Sequence, residues 1–265
     1  MNMTDDRIKK ENNGLSGAEL VNPYDDRREK ADQVEEMFDS IAPAYDFMNT
    51  AMTFGLHRFW RSRALDKATS GMSGQDGLRI LDIATGTGDV AFDLHDRFPK
   101  AEITGIDLSE GMLKIAEKKL KKYDESVKKQ IHFEQGDSLD LRFGDNVFDL
   151  ITVAYGVRNF QHLDRGFEEM ARVLRPGGTL CVIELSEPSD RFTKTLYRLY
   201  SRHIIPTVGK LVSGDSRAYS YLPESIAAAP QRNDMTKIMT SAGLAGCRWK
   251  SLTFGAVTYY ICTKK

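Results

Sequence analysis

The residues with the clearest chemical potential follow an apolar stretch that begins at Leu78. Asp82 lies inside that stretch, and the turn after it contains hydroxyl and glycine residues in alternation, namely Thr85, Gly86, Thr87 and Gly88. A buried strand, a glycine turn and a helix bring backbone N–H groups close to a bound nucleotide. Glycine is required there because a side chain would meet the ligand or forbid the turn. We therefore predict that this segment holds part of a nucleotide-like cofactor.

A second acidic residue stands where a ribose would lie. The apolar run Ile103 to Leu108 contains Asp107, 19 residues after Gly88 (107 − 88 = 19). An acid about 20 residues beyond the glycine turn can accept hydrogen bonds from ribose hydroxyls. Asp107 could instead cap the helix that begins at Ser109, so both interpretations stay open.

The charges around the glycine turn favour a ligand without phosphates. Asp89 directly follows Gly88, where a pyrophosphate would lie, and Ala91 takes the place of the third glycine of a dinucleotide motif. Acidic residues suit a cation better than a phosphate. S-adenosylmethionine combines an adenosine, a sulfonium and an amino acid, so it is the predicted cofactor, and a nicotinamide-dependent reductase is disfavoured.

Two later strand ends add candidate residues. Asp137 and Ser138 close the third apolar run, where they could accept from an adenine amine or cap a turn. The fourth run ends at Ala154, and Arg158 and Asn159 follow it. Polar residues just beyond a parallel strand are expected to lie in the ligand cleft and not in the core.

Strand and helix patterns alternate through the middle of the chain. Apolar runs predict strands near residues 79–83, 102–107, 130–135, 147–154 and 178–185, with helices near 89–97, 109–122 and 164–174. This alternation predicts an α/β fold with a doubly wound, Rossmann-like parallel sheet. Pro176-Gly177-Gly178 is interpreted as the turn that enters the fifth strand.

Composition excludes several classes of function. The 265 residues have a formal net charge of −1, which argues against a nucleic-acid partner. Three cysteines without paired spacing, and five histidines without metal-ligand spacing, predict no metal site. No apolar run reaches the roughly 18 residues that a membrane span requires, so a cytoplasmic protein is expected.

Four segments resemble the signatures of one known family. Residues 45–49 read YDFMN, residues 52–61 read MTFGLHRFWR, residues 156–159 read GVRN and residues 213–226 read SGDSRAYSYLPESI. Together with the glycine turn and Asp107, they are similar to the ubiquinone/menaquinone C-methyltransferase family of class I S-adenosylmethionine-dependent enzymes. Thr53 stands where the family usually has serine. Composition alone would assign Phe47, Phe59 and Trp60 to a helical cap packed on the core.

The resemblance implies a class I methyltransferase sheet with an antiparallel C-terminal hairpin strand, a helical N-terminal cap and a helical insertion after the fifth strand. We expect a disordered tail at 1–22 and one methyltransferase domain at 23–265. Within it, the cap spans 23–77, the cofactor-binding core 78–186, a helical substrate lid 187–230, and the final helix and hairpin 231–265.

The implied reaction is methylation of a ring carbon of a polyprenylated quinol, with demethylmenaquinol favoured. Arg158 is expected to stabilise the phenolate, and Tyr45, Asp46 and Asn49 to close over the cofactor and contact the ring. Arg158, Asn159, Tyr219 and Tyr221 are expected to contact the substrate. No residue is an obvious general base, and Asp46 and Asp215 are the two candidates.

Three other functions remain open. One is methylation of the benzoquinol precursor of ubiquinone, another is methylation of a soluble small molecule, and the third is a module that binds the cofactor without turnover. A basic helix face (Arg191, Lys194, Arg198 and Arg202) could meet anionic lipids transiently at the inner face of the plasma membrane. The alternative for this face is an ordinary amphipathic helix. Whether the protein forms a homodimer is left open.

Overall fold

The computed structural model describes residues 17–24, 27–72, 74, 76–199 and 216–265. Within them, one sheet has seven strands: β1 (Arg79–Ile83), β2 (Glu102–Asp107), β3 (Ile131–Gln135), β4 (Phe148–Ala154), β5 (Leu174–Leu185), β6 (Leu244–Leu252) and β7 (Val257–Lys264). Their order across the sheet is β3-β2-β1-β4-β5-β7-β6.

Strands β1 to β5 are parallel, and β7 pairs in antiparallel orientation with both β5 and β6. Strand β6 therefore runs in the same direction as β1 to β5, and β7 is the reversed strand of this sheet. Strand β1 is buried on both faces: Ile80, Leu81 and Ile83 are each at most 1% exposed. This accounts for the unbroken apolar sequence of the strand. Because β1 lies between β2 and β4, the chain reverses its winding direction there, and a cleft opens at the carboxyl ends of these strands.

The helices in the described residues are α1 (Lys30–Ile41), α2 (Tyr45–Thr53), α3 (Leu56–Ala68), α4 (Asp89–Arg97), α5 (Glu110–Leu120), α6 (Glu125–Lys128), α7 (Leu163–Val173), α8 (Arg191–Leu199), α9 (Ser216–Ala228) and α10 (Asn233–Ser241). Helices α7 and α10 pack on one side of the sheet through Phe167, Met170 and Met239, all fully buried. Helix α4 contributes Leu94 to a second core, and α3 contributes Trp60 to another.

The predicted doubly wound sheet and its antiparallel C-terminal hairpin are confirmed. The predicted turn at Pro176-Gly177-Gly178 is wrong, because these residues lie inside β5, which begins at Leu174. The register shift between Phe148 and Leu150 in β4 lies beside them, and Gly177 has a φ of 77°. The chain therefore bends within the strand at a bulge and does not start the strand there.

The N-terminal region differs from the sequence prediction. Disorder through residue 22 is wrong for its described part, because Gly17–Leu20 forms a 3-10 helix and Glu19 accepts a 2.6 Å hydrogen bond from the Leu163 backbone. Residues 1–16 lie outside the described residues. Of the three aromatic residues assigned to core packing, only Trp60 is buried; Phe47 is 63% exposed and Phe59 is 50% exposed.

Candidate functional site

A first cavity lies at the carboxyl ends of the parallel strands. Five of the predicted cofactor residues line it, namely Gly86, Asp107, Asp137, Ser138 and Ala154. Helix α1 forms the opposite wall with Val34, Glu35 and Phe38. The sheet thus collects residues that are far apart in sequence into one cleft beneath the amphipathic helix α1, here called the cofactor cavity.

Asp107 ties the cofactor cavity together. Its Oδ2 accepts a 2.8 Å hydrogen bond from the Gly86 backbone, and its Oδ1 accepts a 2.9 Å bond from the Ser109 backbone. Burial raises the pKa of Asp107 to about 6, although these backbone donors favour its charged form. The residue therefore both braces the start of α5 and presents a carboxylate to the cavity. The two interpretations from the sequence are compatible, since each oxygen can accept more than one hydrogen bond.

The two glycines of the turn have different physical roles. Gly86 has a φ of 57°, and a Cβ placed there would meet no atom within 4 Å, so it faces open space in the cavity wall. Gly88 also has a positive φ, of 82°, but a Cβ there would lie 2.8 Å from the Phe133 ring. Gly86 permits close approach of a ligand, whereas Gly88 permits packing between the turn and β3.

Asp82 lies behind the turn and does not line the cofactor cavity. Its two carboxylate oxygens accept 2.6 Å hydrogen bonds from the hydroxyls of Thr85 and Thr152. It is 1% exposed, and burial raises its pKa to about 7. Asp82 and Thr85 therefore fix the shape of the turn from inside the sheet.

Asp46 belongs to a charged network beside the turn and does not line the cofactor cavity. It accepts a 2.6 Å hydrogen bond from the Thr87 hydroxyl, and Lys119 lies 2.7 Å from its other oxygen. Lys119 also pairs with Asp89 at 2.7 Å, and Arg61 reaches Asp89 at 3.1 Å. These cations lower the pKa of Asp89 despite its burial. Asp89 is therefore paired with cations of the protein itself and does not line the cofactor cavity. This network fastens α2 onto the cofactor turn.

Asp137 caps a turn, as one of its two predicted roles requires, and its adenine contact stays a prediction. Its Oδ1 accepts a 2.8 Å hydrogen bond from the Leu139 backbone, which is the turn-capping contact. The residue also lines the cofactor cavity beside the buried Ser138.

A second, larger cavity adjoins the first and is here called the apolar cavity. Its volume is about 370 Å³. Most of its wall is apolar and comes from α1, α2, α3 and α9, including Met37, Ile41, Met48, Met52, Trp60, Leu222 and Ile226. A cavity of this size and character suits a small hydrophobic molecule.

The two cavities meet at shared residues. Phe38, Tyr45 and Tyr155 line both of them. Burial raises the pKa of Tyr45, partly offset by a hydrogen bond with the Asn49 side chain, and burial also raises the pKa of Tyr155. Both hydroxyls are therefore neutral donors near pH 7. Tyr155 has a φ of 60°, an uncommon conformation for a bulky residue, at the end of β4.

Arg158 lines the apolar cavity but is more deeply buried than the sequence predicts. It is 6% exposed, and its Nη1 donates a 2.8 Å hydrogen bond to Glu184 Oε1 and another to the Tyr155 carbonyl. Its backbone N–H donates to Glu184 Oε2 at 3.2 Å. Burial disfavours the cation, but Glu184 reverses this and raises the pKa of Arg158. Arg158 is therefore a fixed positive charge and cannot act as a base.

Two polar atoms in the wall of the apolar cavity lack partners. Among the described side chains, Arg158 Nε and Tyr155 Oη are buried without a hydrogen-bond partner. Unpartnered buried polar atoms cost free energy unless a ligand satisfies them. Both are able to donate to a ligand oxygen near the junction of the two cavities.

The remaining predicted substrate residues connect α9 to the sheet. The Tyr221 hydroxyl donates to Asn159 Oδ1 at 3.0 Å. Tyr221 lines the apolar cavity and Asn159 the cofactor cavity, so this bond spans the two. Asn49 also lines the apolar cavity. The Tyr219 side chain and Asp215 lie outside what the structure describes.

His57 lines the apolar cavity as well, although the sequence argument gave it no role. Thr53 Oγ1 donates to the Asn49 carbonyl at 2.6 Å and lies 2.8 Å from His57 Nδ1. Because the hydroxyl has one proton, the imidazole must donate from Nδ1, which leaves Nε2 unprotonated. Burial lowers the pKa of His57, so the neutral ring prevails at pH 7. The position of His57 inside the family-like segment 52–61 was the sequence signal that could have identified it as a site residue.

The basic face proposed for α8 is only partly described. Lys194 pairs with Glu187 at 2.7 Å, whereas the side chains of Arg191 and Arg198, and the whole of Arg202, lie outside the described residues. In the part of the chain that the structure covers, no helix combines the length and apolarity needed to cross a membrane. The same part contains no cluster of three acidic, histidine or cysteine residues suited to a metal ion.

Solved structures with the same fold include methyltransferases. A phosphoethanolamine N-methyltransferase 2 of Haemonchus contortus in complex with S-adenosyl-L-methionine aligns with a TM-score of 0.56 at 15% identity, over 77% of this chain and 52% of that chain. A possible histamine N-methyltransferase of Thermotoga maritima has a TM-score of 0.56 at 19% identity, over 87% of this chain and 99% of that chain. At these identities the likeness establishes the fold alone.

Sequence relatives are more similar. A demethylmenaquinone methyltransferase of Bacteroides fragilis is 43% identical over 247 residues, 93% of this chain and 98% of the relative. A ubiquinone/menaquinone biosynthesis C-methyltransferase UbiE of Geotalea daltonii is 39% identical over 233 residues, 88% of this chain and 96% of the relative. The model of the ubiE/COQ5 methyltransferase family matches residues 26–264. The chain therefore belongs to the ubiE/COQ5 methyltransferase family.

Proposed function

We infer that this chain is an S-adenosylmethionine-dependent C-methyltransferase that converts demethylmenaquinol to menaquinol. The observation that carries this function is the junction, at Tyr45 and Tyr155, of a cofactor cavity that contains Asp107 and Asp137 with a larger apolar cavity. Relatives named demethylmenaquinone methyltransferase, 40–43% identical to this chain, support the same substrate.

The residues of the cofactor cavity fit S-adenosylmethionine. Asp107 would accept from the ribose hydroxyls, Asp137 and Ser138 would meet the adenine, and Gly86 leaves room for the ligand backbone. When bound, the cofactor supplies a methyl group on a sulfonium, whose carbon–sulfur bond breaks with its electron pair going to sulfur. Tyr45 and Tyr155 line both cavities and would separate the bound cofactor from the acceptor at their junction.

The apolar cavity fits the reduced acceptor. A quinol ring carbon becomes a nucleophile when a ring hydroxyl loses its proton, because the negative charge is shared with the ortho carbon. A quinone has no such proton, so the substrate is the quinol. The cation of Arg158, held by Glu184, stabilises the phenolate, and the unpartnered Arg158 Nε and Tyr155 Oη are donors for its oxygen.

We assign the proton acceptor to His57. It lines the cavity that would hold the quinol, its ring is neutral, and Thr53 fixes the tautomer with Nε2 free to accept. After the methyl group joins the ring carbon, that carbon gives its own proton to water and the ring becomes aromatic again as a phenolate. The phenolate takes back the proton held by His57, so the reaction releases one proton overall. Asp46, bound to Thr87 and Lys119, is instead placed to hold α2 against the cofactor turn.

The prenyl tail requires a route from the lipid phase. We propose that the enzyme is cytoplasmic and contacts the inner face of the plasma membrane transiently. Sedimentation of the purified protein tests separately whether it forms a homodimer.

The experiment is transfer of labelled methyl from S-adenosylmethionine to demethylmenaquinol, with and without reductant, followed by organic extraction. Label in the organic phase only under reducing conditions supports the quinol mechanism. Label from the benzoquinol precursor of ubiquinone at a higher rate would favour that second substrate, which the name of the Geotalea daltonii relative also covers. Cofactor binding without label on any quinol would contradict the assignment.

A further inference from the structure

Large apolar side chains are exposed around the mouth of the apolar cavity. Phe54 is 84% exposed, Phe254 83%, Phe59 50% and Leu56 42%. Phe54 and Leu56 line the cavity themselves, and Thr253, next to Phe254, lines it too. The Trp60 indole donates a 2.7 Å hydrogen bond to the Thr253 hydroxyl, which ties the two exposed segments together. We call the three exposed phenylalanines, Phe54, Phe59 and Phe254, together with Leu56, the aromatic rim.

The two most exposed phenylalanines stand on backbone that favours glycine. Phe54 has a φ of 51° and ends α2, and Phe254 has a φ of 55° in the turn between β6 and β7. A bulky residue in this conformation is uncommon and costs free energy. Neither folding nor packing rewards phenylalanine there, because both rings are in solvent. An apolar environment outside the protein would reward it.

A basic groove continues from the aromatic rim along α3. Arg63, Lys67 and Lys250 line it together with Asp66, Leu252 and Tyr259. The Arg63 guanidinium lies 5.9 Å from the centre of the Phe59 ring. Asp66 pairs with Arg97 at 3.0 Å, so its charge is already compensated. Among the described residues, no carboxylate forms an ion pair with any of the three cations that line the groove.

The spacing along α3 orders these side chains. Leu56, Phe59, Arg63 and Lys67 follow at intervals of three and four residues (59 − 56 = 3, 63 − 59 = 4, 67 − 63 = 4), so they share one helix face. Leu56 lines the apolar cavity, Phe59 lies about one turn beyond it, and the cations follow two to three turns after Leu56. A bilayer has the same order, with hydrocarbon at its centre and charged headgroups outside it.

We propose that the aromatic rim and the basic groove form one docking surface for an anionic lipid bilayer, with the mouth of the apolar cavity turned toward the lipid. The proposal rests on the proposed function, because a polyprenyl quinol would then pass from the bilayer into the cavity without crossing water. A second copy of the chain fits this surface poorly. A symmetric pair would bring the cations of both basic grooves together.

This surface differs from the basic face of α8. Its charge is local, since the whole chain has a net charge of −1. Its apolar and basic parts are joined by the Arg63–Phe59 contact, so a bilayer would engage both at once. Each phenylalanine that enters the interface is expected to strengthen binding about tenfold, and each cation about fivefold on anionic lipid.

Vesicle flotation tests the proposal without cofactor or substrate. The full chain is mixed with phosphatidylcholine vesicles, with and without phosphatidylglycerol, and the bound fraction is measured at low and high salt. The aromatic variant is Phe59→Ser/Phe254→Ser, and the basic variant is Arg63→Gln/Lys67→Gln/Lys250→Gln. The control, Lys118→Gln/Lys121→Gln/Lys122→Gln, removes the same charge from exposed positions on α5 and just after it, near β3 at the other edge of the sheet.

We expect the wild type and the control to bind anionic vesicles in a salt-sensitive manner. Each test variant is expected to bind about a hundredfold more weakly. Turnover of demethylmenaquinol in vesicles should fall with binding, whereas turnover of a short-chain, water-soluble quinol should stay at the wild-type rate. If the wild type does not methylate the soluble quinol, the proposed function is contradicted, whereas the vesicle-binding result is unaffected.

Two results would overturn the docking surface. One is wild-type binding that neither test variant weakens more than the lysine control does. The other is a wild-type dimer that the aromatic variant converts to a monomer, since the rim would then be a contact between subunits.

Discussion

The Arg158–Glu184 pair gives the sharpest test of how the site is built. Glu184 is 2% exposed and holds the Arg158 guanidinium at 2.8 Å. Substitution of Arg158 by leucine leaves a buried, uncompensated carboxylate, which typically costs about 3–5 kcal/mol. Glu184 still accepts backbone hydrogen bonds from Leu185 and from residue 158, so we expect the lower end, about 3 kcal/mol. For a chain of this length, that lowers Tm by roughly 6–12 °C.

The double variant Arg158→Leu/Glu184→Gln separates stability from catalysis. Removing the second charge should restore about 2 kcal/mol, because the buried carboxylate is gone while an acceptor remains. The turnover number should stay lower by on the order of 10²–10³ in both variants, since the cation facing the phenolate is absent. Affinity for S-adenosylmethionine should be retained, because Arg158 does not line the cofactor cavity.

Thermal unfolding, cofactor titration and single-turnover methyl transfer together decide the matter. If the double variant regains the wild-type turnover number, Arg158 serves only to neutralise Glu184 and the phenolate argument fails. If Arg158→Leu unfolds at the wild-type temperature, the ion pair does not hold the site as described.

Three further predictions concern protons. Because the pKa of Asp107 is raised to about 6, affinity for S-adenosylmethionine should fall roughly fivefold between pH 6 and pH 5, and Asp107→Asn should bind weakly with no such dependence when titrated calorimetrically. His57→Asn, which keeps a donor toward Thr53, should lower the turnover number about 10²–10⁴-fold at saturating cofactor. The lowered pKa of His57 predicts that wild-type turnover declines on the acid side, and this variant should abolish the decline; an unchanged pH–rate profile would exclude His57 as the proton acceptor. The pKa of Asp82 is raised to about 7, so its buried charge destabilises the folded wild type above that pH, and Asp82→Asn should be more stable at pH 8 by up to about 4 kcal/mol in denaturant unfolding. The difference in the free energy of unfolding should shrink below pH 7 and disappear near pH 4. Equal stability of the two proteins at pH 8 would contradict the buried charge.

The cofactor cavity was predictable because it depends on local pattern. The glycine turn, Asp107 and Asp137 each follow an apolar run, and parallel strands bring such ends to one edge of the sheet. The sequence pattern alone does not show whether a side chain near the turn lines the cavity or lies inside the sheet behind it. Asp82 therefore proved to lie behind the cavity wall, although its spacing placed it at the ligand.

The apolar cavity was harder to derive, because its wall combines α1, α2, α3 and α9 from both ends of the chain. Arg158 was expected in the cleft, and its burial depends on Glu184 at the end of β5, whose acidic side chain was not singled out. Tyr155 was missed although it follows Ala154 directly. The exposure of Phe59 could not be predicted from the sequence either, because an aromatic residue favours a core position when its neighbours in space are unknown.

The central claim is that a carbon of the quinol ring receives the methyl group at the junction of the two cavities. The direct measurement uses S-adenosylmethionine carrying a ¹³C-labelled methyl group, demethylmenaquinol kept reduced, and carbon NMR of the extracted lipid. The mechanism predicts a single labelled methyl bonded to a ring carbon, and none when the quinone replaces the quinol. A label bonded to oxygen, or equal labelling of the quinone, would contradict it.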